Sequence, residues 1–94
     1  MVKIEVGGVN QQQIQNEIDK FLRNIGHLTK EVEQLKISSY SIRERENKKI
    51  GLSAILVSKA GILQAKNEGW ELIPVVNELF EKLERQVKRK TKKD

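Results

Sequence analysis

Apolar residues recur along the chain with two different periods, and each change of period marks an element. Val2, Ile4 and Val6 alternate with Lys3 and Glu5, the two-residue repeat of a half-buried strand. Gly7-Gly8 closes it as a turn; no Gly-Lys-Ser/Thr follows, so it is not a phosphate loop. Asn10 then predicts an N-cap, and Ile14, Ile18, Phe21, Leu22 and Ile25 follow at steps of three and four, one face of a helix. Gly26 is placed to stop it. Residues 27–33 read as a loop, although Leu28 and Val32 prolong the helical spacing.

From Leu35 to Ile42 the chain turns to β-branched and small polar residues, which predicts a strand on which Tyr40 could face either side. Arg43 to Lys49 reads as a charged connection and Ile50 to Val57 as the next strand. Lys59-Ala60-Gly61 is a turn into a strand over Ile62–Lys66, which Asn67-Glu68-Gly69 is expected to close. A second helix carries Leu72, Val75, Val76, Leu79, Phe80, Leu83 and Val87, with Pro74 in its first turn, where the missing amide has no partner to lose. The order β-α-β-β-β-α predicts an α+β domain, a four-stranded sheet with two amphipathic helices on one face. Trp70, between strand and helix, is expected to close one end of the core, because a buried aromatic ring carries so much apolar area.

Composition narrows the function classes. Ninety-four residues suit one domain over 1–94, and 37% hydrophobic residues are enough for one small core. Absence of cysteine removes disulfides, thiolate metal sites and a Cys nucleophile, so an intracellular, cytoplasmic setting is the default expectation. No apolar run approaches the ~18 residues of a membrane span, and the opening residues do not form a signal peptide. His27 is the only histidine and reads as a polar loop residue, so triads and His-based metal sites lack material. No cofactor, metal, small-molecule substrate or membrane partner is expected, and no nucleophile, base and orienter can be assembled into an enzyme.

Charge changes the picture more. Residues 1–81 hold 11 basic and 11 acidic side chains, whereas residues 82–94 hold seven basic and two acidic ones, so the whole net charge of +5 lies in the last thirteen residues. A neutral body with a cationic end attracts polyanions. At ~100° per residue the apolar positions of the second helix span about 140°. Lys82, Arg85, Arg89 and Lys93 form one stripe beside that arc, with Lys92 next to it and Gln86 on the border. Glu81, Glu84 and Lys88 fall on the outer flank, and Lys90 points in the core direction, where the helix is expected to outrun the sheet. Glu78, Glu81 and Glu84, spaced by threes, read as helix salt-bridge partners. A stripe ~16 Å long at ~1.5 Å per residue can follow several phosphates, and its arginines suit bidentate phosphate contacts. With aromatic residues at only 4% and none on the stripe, backbone and shape recognition of folded RNA is expected rather than base stacking.

Ala65-Lys66-Asn67-Glu68-Gly69 followed by Glu78-Leu79-Phe80-Glu81-Lys82-Leu83-Glu84-Arg85-Gln86-Val87-Lys88-Arg89-Lys90 resembles the end of the bacterial ribosome hibernation-promoting factor and ribosome-associated inhibitor family. The Lys82-Leu83-Glu84-Arg85-Gln86-Val87 core matches without a gap, and Lys20-Phe21-Leu22-Arg23 is similar to a shorter segment of the first helix. Where the family opens its last helix with Asp-Met-Tyr-Ala-Ala-Ile-Asp, this chain has Glu71-Leu72-Ile73-Pro74-Val75-Val76-Asn77. The resemblance is to the short form, without the long form's C-terminal domain. It implies a double-stranded-RNA-binding-domain-like fold and a regulator that docks on ribosomal RNA in the decoding groove of the small ribosomal subunit. It assigns RNA contacts to Lys82, Arg85, Lys88, Arg89 and Lys90, and with them Lys20 and Arg23; the charge concentration adds Lys92 and Lys93. Two other readings fit the same residues: a general binder of double-stranded or structured RNA, and a protein-interaction module whose basic end serves solubility.

Overall fold

Alternation and helical spacing resolve into six elements in a computed structural model that describes residues 2–26, 31–40, 49–59 and 61–91, with side chains described as far as Arg89. They are β1 (Lys3–Gly7), α1 (Gln11–Ile25), β2 (Val32–Tyr40), β3 (Ile50–Ser58), β4 (Gly61–Gly69) and α2 (Leu72–Thr91). The expected order and the α+β class hold. The strands form one sheet in the order β1-β2-β3-β4. β1 runs parallel to β2, while β2, β3 and β4 form an antiparallel meander.

Both helices lie on one sheet face and close a single core. Ile14, Ile18, Phe21 and Ile25 of α1 meet Val75, Val76, Leu79, Phe80, Leu83 and Val87 of α2 over Leu35, Ile37, Leu52, Ala54, Leu56 and Ala65 of the sheet. Phe21 and Phe80 stack, with centroids 4.7 Å apart and planes 16° apart, and this pair holds α1 against α2. Asn10 caps α1 as expected, its side chain accepting from the Gln12 amide at 2.9 Å. The Gly26 amide donates to the Arg23 carbonyl at the other end.

Two boundaries differ from the sequence expectation. β2 begins at Val32 rather than Leu35 because of a bulge: the register jumps between Val32 and Gln34. The extra residue, Glu33, lets Val32 and Leu35 both point into the core, although strict alternation would put them on opposite faces. β4 also runs on through Asn67 and Glu68 to Gly69, since these residues keep their ladder with Leu52, Gly51 and Ile50. The expected loop residues 27–30, the connection over 41–48 and His27 lie outside the described residues.

Two glycines are required where they stand. Gly8 has φ +82°, and a Cβ there would fall 1.8 Å from Ser39 Oγ. Gly69 lies so close to the start of α2 that a Cβ would meet Val75 Cγ2 at 2.7 Å. The first turn of α2 then closes with the Val75 amide donating to the Glu71 carbonyl at 3.2 Å, the amide immediately after Pro74.

Candidate nucleic-acid interface

α2 is anchored along three sides, and that anchoring determines where its cations point. Its apolar arc rests on β3 and β4. On one flank Phe80 stacks on α1, and Glu84 accepts a hydrogen bond from Asn24 Nδ2 at 3.1 Å. On the other flank the helix is clasped to the edge strand β4: Lys82 Nζ donates to the Lys66 carbonyl at 2.7 Å, and Gln86 Nε2 donates to the Gln64 carbonyl at 2.7 Å. Both acceptors belong to a strand with no further strand on its outer side among the described residues, so the clasp satisfies backbone groups that an exposed edge leaves unpaired.

Lys82 thus has a structural task that the wheel did not reveal. Its ammonium also donates to Asn67 Oδ1 at 3.2 Å. Asn67 is 8% exposed, and its Nδ2 donates to the Val75 carbonyl at 3.0 Å and to Glu78 at 3.1 Å. This buried amide links β4, the start of α2 and the cationic stripe. From sequence alone the Asn67-Glu68-Gly69 run reads as the close of the strand, because Asn and Gly cluster in turns. The signal that finds it is parity: Asn67 follows Leu63 and Ala65 at steps of two, on the face that the helices cover.

Arg85 and Arg89, one turn apart, are exposed on the same flank, away from the apolar arc. Arg85 lies 3.9 Å from Glu81, with the two side chains 69% and 63% exposed. Such a pair contributes at most ~1 kcal/mol and exchanges readily for another anion. The exposed Arg89 side chain makes no hydrogen bond or ion pair with any described residue. Lys88 is exposed on the outer flank as expected. The side chain of Lys90, and the whole of Lys92 and Lys93, lie outside the described residues.

The α1 residues are not brought into this stripe. Lys20 lines the groove between α1 and α2 together with Glu17, Asn24, Glu81 and Glu84, on the opposite flank of α2 from Lys82. Arg23 is exposed near the end of α1. Of the expected helix salt-bridge partners, Glu81 faces Arg85, whereas Glu78 and Glu84 accept from Asn67 and Asn24.

Trp70 departs most from expectation. It does not close the core: the residue is 59% exposed and its ring lies under Lys49, whose Nζ is 5.4 Å from the ring centroid. The even parity that puts Ile62, Gln64, Lys66 and Glu68 on the uncovered sheet face carries Trp70 out as well. Tyr40 takes the uncovered face too, where its hydroxyl donates to Glu68 at 2.9 Å across Gly51 and Lys66 Nζ sits 5.6 Å from its ring centroid. Partial burial first, and then the Glu68 carboxylate as hydrogen-bond acceptor and negative neighbour, raise the Tyr40 phenol above its usual pKa. Tyr40 is the only tyrosine, so alkaline absorbance titration is expected to show one phenolate transition centred above the ordinary 10.0, moving down in Glu68→Gln. Because the folded state holds this proton more tightly, the associated stability is complete below the unfolded phenol's pKa and is lost as pH rises through the folded one. A midpoint at or below the ordinary value would show that the hydroxyl does not bond Glu68.

The family model described as hibernation factor Hib, C-terminal domain, matches residues 2–94. A ribosomal subunit interface protein from Coxiella burnetii superposes with a TM-score of 0.74 at 19% identity, covering 98% of both chains. The N-terminal domain of Thermus thermophilus Protein Y superposes with a TM-score of 0.69 at 19% identity, covering 94% of this chain and 96% of that one. No curated protein matches. At this identity the two structures establish the shared fold alone.

Proposed function

The chain belongs to the hibernation factor Hib family, and from that premise we propose that it is a non-enzymatic translation regulator. It binds the small ribosomal subunit at the decoding region, over the messenger channel and the A and P sites, through the backbone of ribosomal RNA, and so keeps idle ribosomes silent in the cytoplasm. Residues 1–94 act as one binding unit whose basic end, 82–94, supplies the grip. The observation that carries this reading is the exposed Arg85–Arg89 pair on a helix clamped on both flanks. A cation held on a rigid rod loses little freedom when it meets a phosphate. Support for the partner comes from the Coxiella relative, described as a ribosomal subunit interface protein.

Within this reading Arg85 and Arg89 are the primary phosphate contacts, and Lys88, Lys90, Lys92 and Lys93 extend the field along the end of the helix. Lys82 contributes charge from a fixed position, because two of its three donors are already engaged. Arg23 serves as a peripheral contact, and Lys20 is the weakest contributor because Glu17, Glu81 and Glu84 share its groove.

Gradient sedimentation of ribosomes with added protein tests the proposal. Comigration with the small subunit is expected at ~50 mM salt. About five phosphate contacts should cost on the order of a hundredfold in affinity by ~200 mM. Binding that ignores salt would sink the phosphate-contact mechanism. Equal affinity for a plain RNA duplex would favour the general structured-RNA binder instead.

A further inference from the structure

The end of the molecule where β4 meets α2 has a chemistry unlike the cationic stripe. Trp70, Ile73 and Pro74 are exposed together there. Trp70 and Pro74 line a shallow cavity of about 250 Å³ with Glu68, Glu71 and Glu78, below the ~300 Å³ at which small-molecule pockets begin and of the order of one long side chain.

These features have only partial structural explanations. Glu71 directly precedes α2, where the positive end of the helix dipole favours a carboxylate. Glu68 and Glu78 hold Tyr40 and Asn67. None of this accounts for leaving the only tryptophan of the chain in solvent, at a cost in unburied apolar area. Lys49 over the ring shows what the site attracts: an ammonium already lies 5.4 Å from the Trp70 ring centroid, while Trp70 stays 59% exposed and lines one cavity with three glutamates. Lys66 lies over Tyr40 instead, and Lys82 is held by the Lys66 carbonyl and Asn67.

We propose that Trp70 and the carboxylates of Glu68, Glu71 and Glu78 form a docking surface for a basic polypeptide segment. One arginine or lysine of that segment would lie against the open part of the indole, and its apolar neighbours would rest on Ile73 and Pro74. Charge complementarity selects this occupant. The ring draws cations by its quadrupole, and the carboxylates of Glu68, Glu71 and Glu78, which line the same cavity, repel the phosphates that would have to accompany a stacked nucleobase. The surface is separate from Arg85 and Arg89, so the chain would bind RNA with one end of α2 and a basic protein segment with the other.

The test uses a dye-labelled octapeptide of alternating arginine and glycine, read by fluorescence anisotropy against the full chain at ~50 mM salt. The peptide is expected to bind saturably and to shift the emission of Trp70, while an oligouridylate of equal length leaves that emission unchanged. Affinity is expected to fall about tenfold or more in Trp70→Ala and again in Glu71→Lys. Both positions are exposed, so unchanged circular dichroism should accompany the loss. Failure of the peptide to bind, or equal binding by both variants, would overturn the proposal. A response of Trp70 to oligouridylate alone would make this a base-stacking surface instead. The readout does not pass through Arg85 or Arg89, so it stands or falls separately from the ribosomal reading.

Discussion

Exchanging both Arg85 and Arg89 for glutamate is expected to lower affinity for the small ribosomal subunit by two orders of magnitude or more, with the melting temperature nearly unchanged. The double change takes the formal net charge from +5 to about +1, and it turns two attractive phosphate contacts into repulsive ones. Stability should hold because both side chains lie in solvent and, among the described residues, the only ion pair lost is the exposed one to Glu81 at 3.9 Å. That pair, and the new crowding of carboxylates on α2, amount to a few tenths of a kcal/mol each. Sedimentation with ribosomes and a thermal melt of the same sample give both readouts. Undiminished comigration of the variant would show that α2 does not carry the contact. A matching pair of lysine substitutions should retain much of the binding, since charge stays while the bidentate geometry goes.

The largest effect on stability is expected from Phe80→Ala. Phe80 is 3% exposed and stacked on Phe21, so its removal opens a cavity at the seam between the helices. Changes of this kind cost about 3–5 kcal/mol, against a total of roughly 5–15 kcal/mol for a typical domain, with small domains towards the lower end. A loss of that size corresponds to a fall in melting temperature of about 15–30 °C for a domain of this length. Urea denaturation should show the midpoint falling with an unchanged slope. A loss below about 1 kcal/mol would mean that α1 is held to α2 by something other than this aromatic pair. The two experiments separate the helix's roles, since one changes what α2 presents and the other what keeps it in place.

Much of this architecture is legible in the one-dimensional pattern because each element has a strong local signature. Ile14, Ile18, Phe21 and Ile25 are the buried residues of α1, and their spacing admits only a helix. The apolar arc of α2 places Lys82, Arg85 and Arg89 on one flank by geometry alone, and Asn10 caps α1 because its side chain can reach an amide two residues away. The misreadings occur where a residue's role depends on something distant in sequence. Val32 reads as a loop residue in sequence because the bulge that turns it inward is defined by pairing with β3. Asn67 reads as a turn former in sequence because its partners, Val75, Glu78 and Lys82, lie eight or more residues further on. Apolar area alone predicts Trp70 in the core, whereas the residue is 59% exposed on the other face.

Local spacing and charge order were therefore enough to determine the six elements, their class and the concentration of positive charge at one end, because these depend on neighbours within a turn or a strand. Only the assembled sheet and helices could decide which cation is already engaged by the protein itself, which carboxylates lie opposite α1, and which aromatic ring is left in water. Those outcomes depend on strand register and on the approach of α2 to an edge strand, and both are set by contacts between residues far apart in the chain.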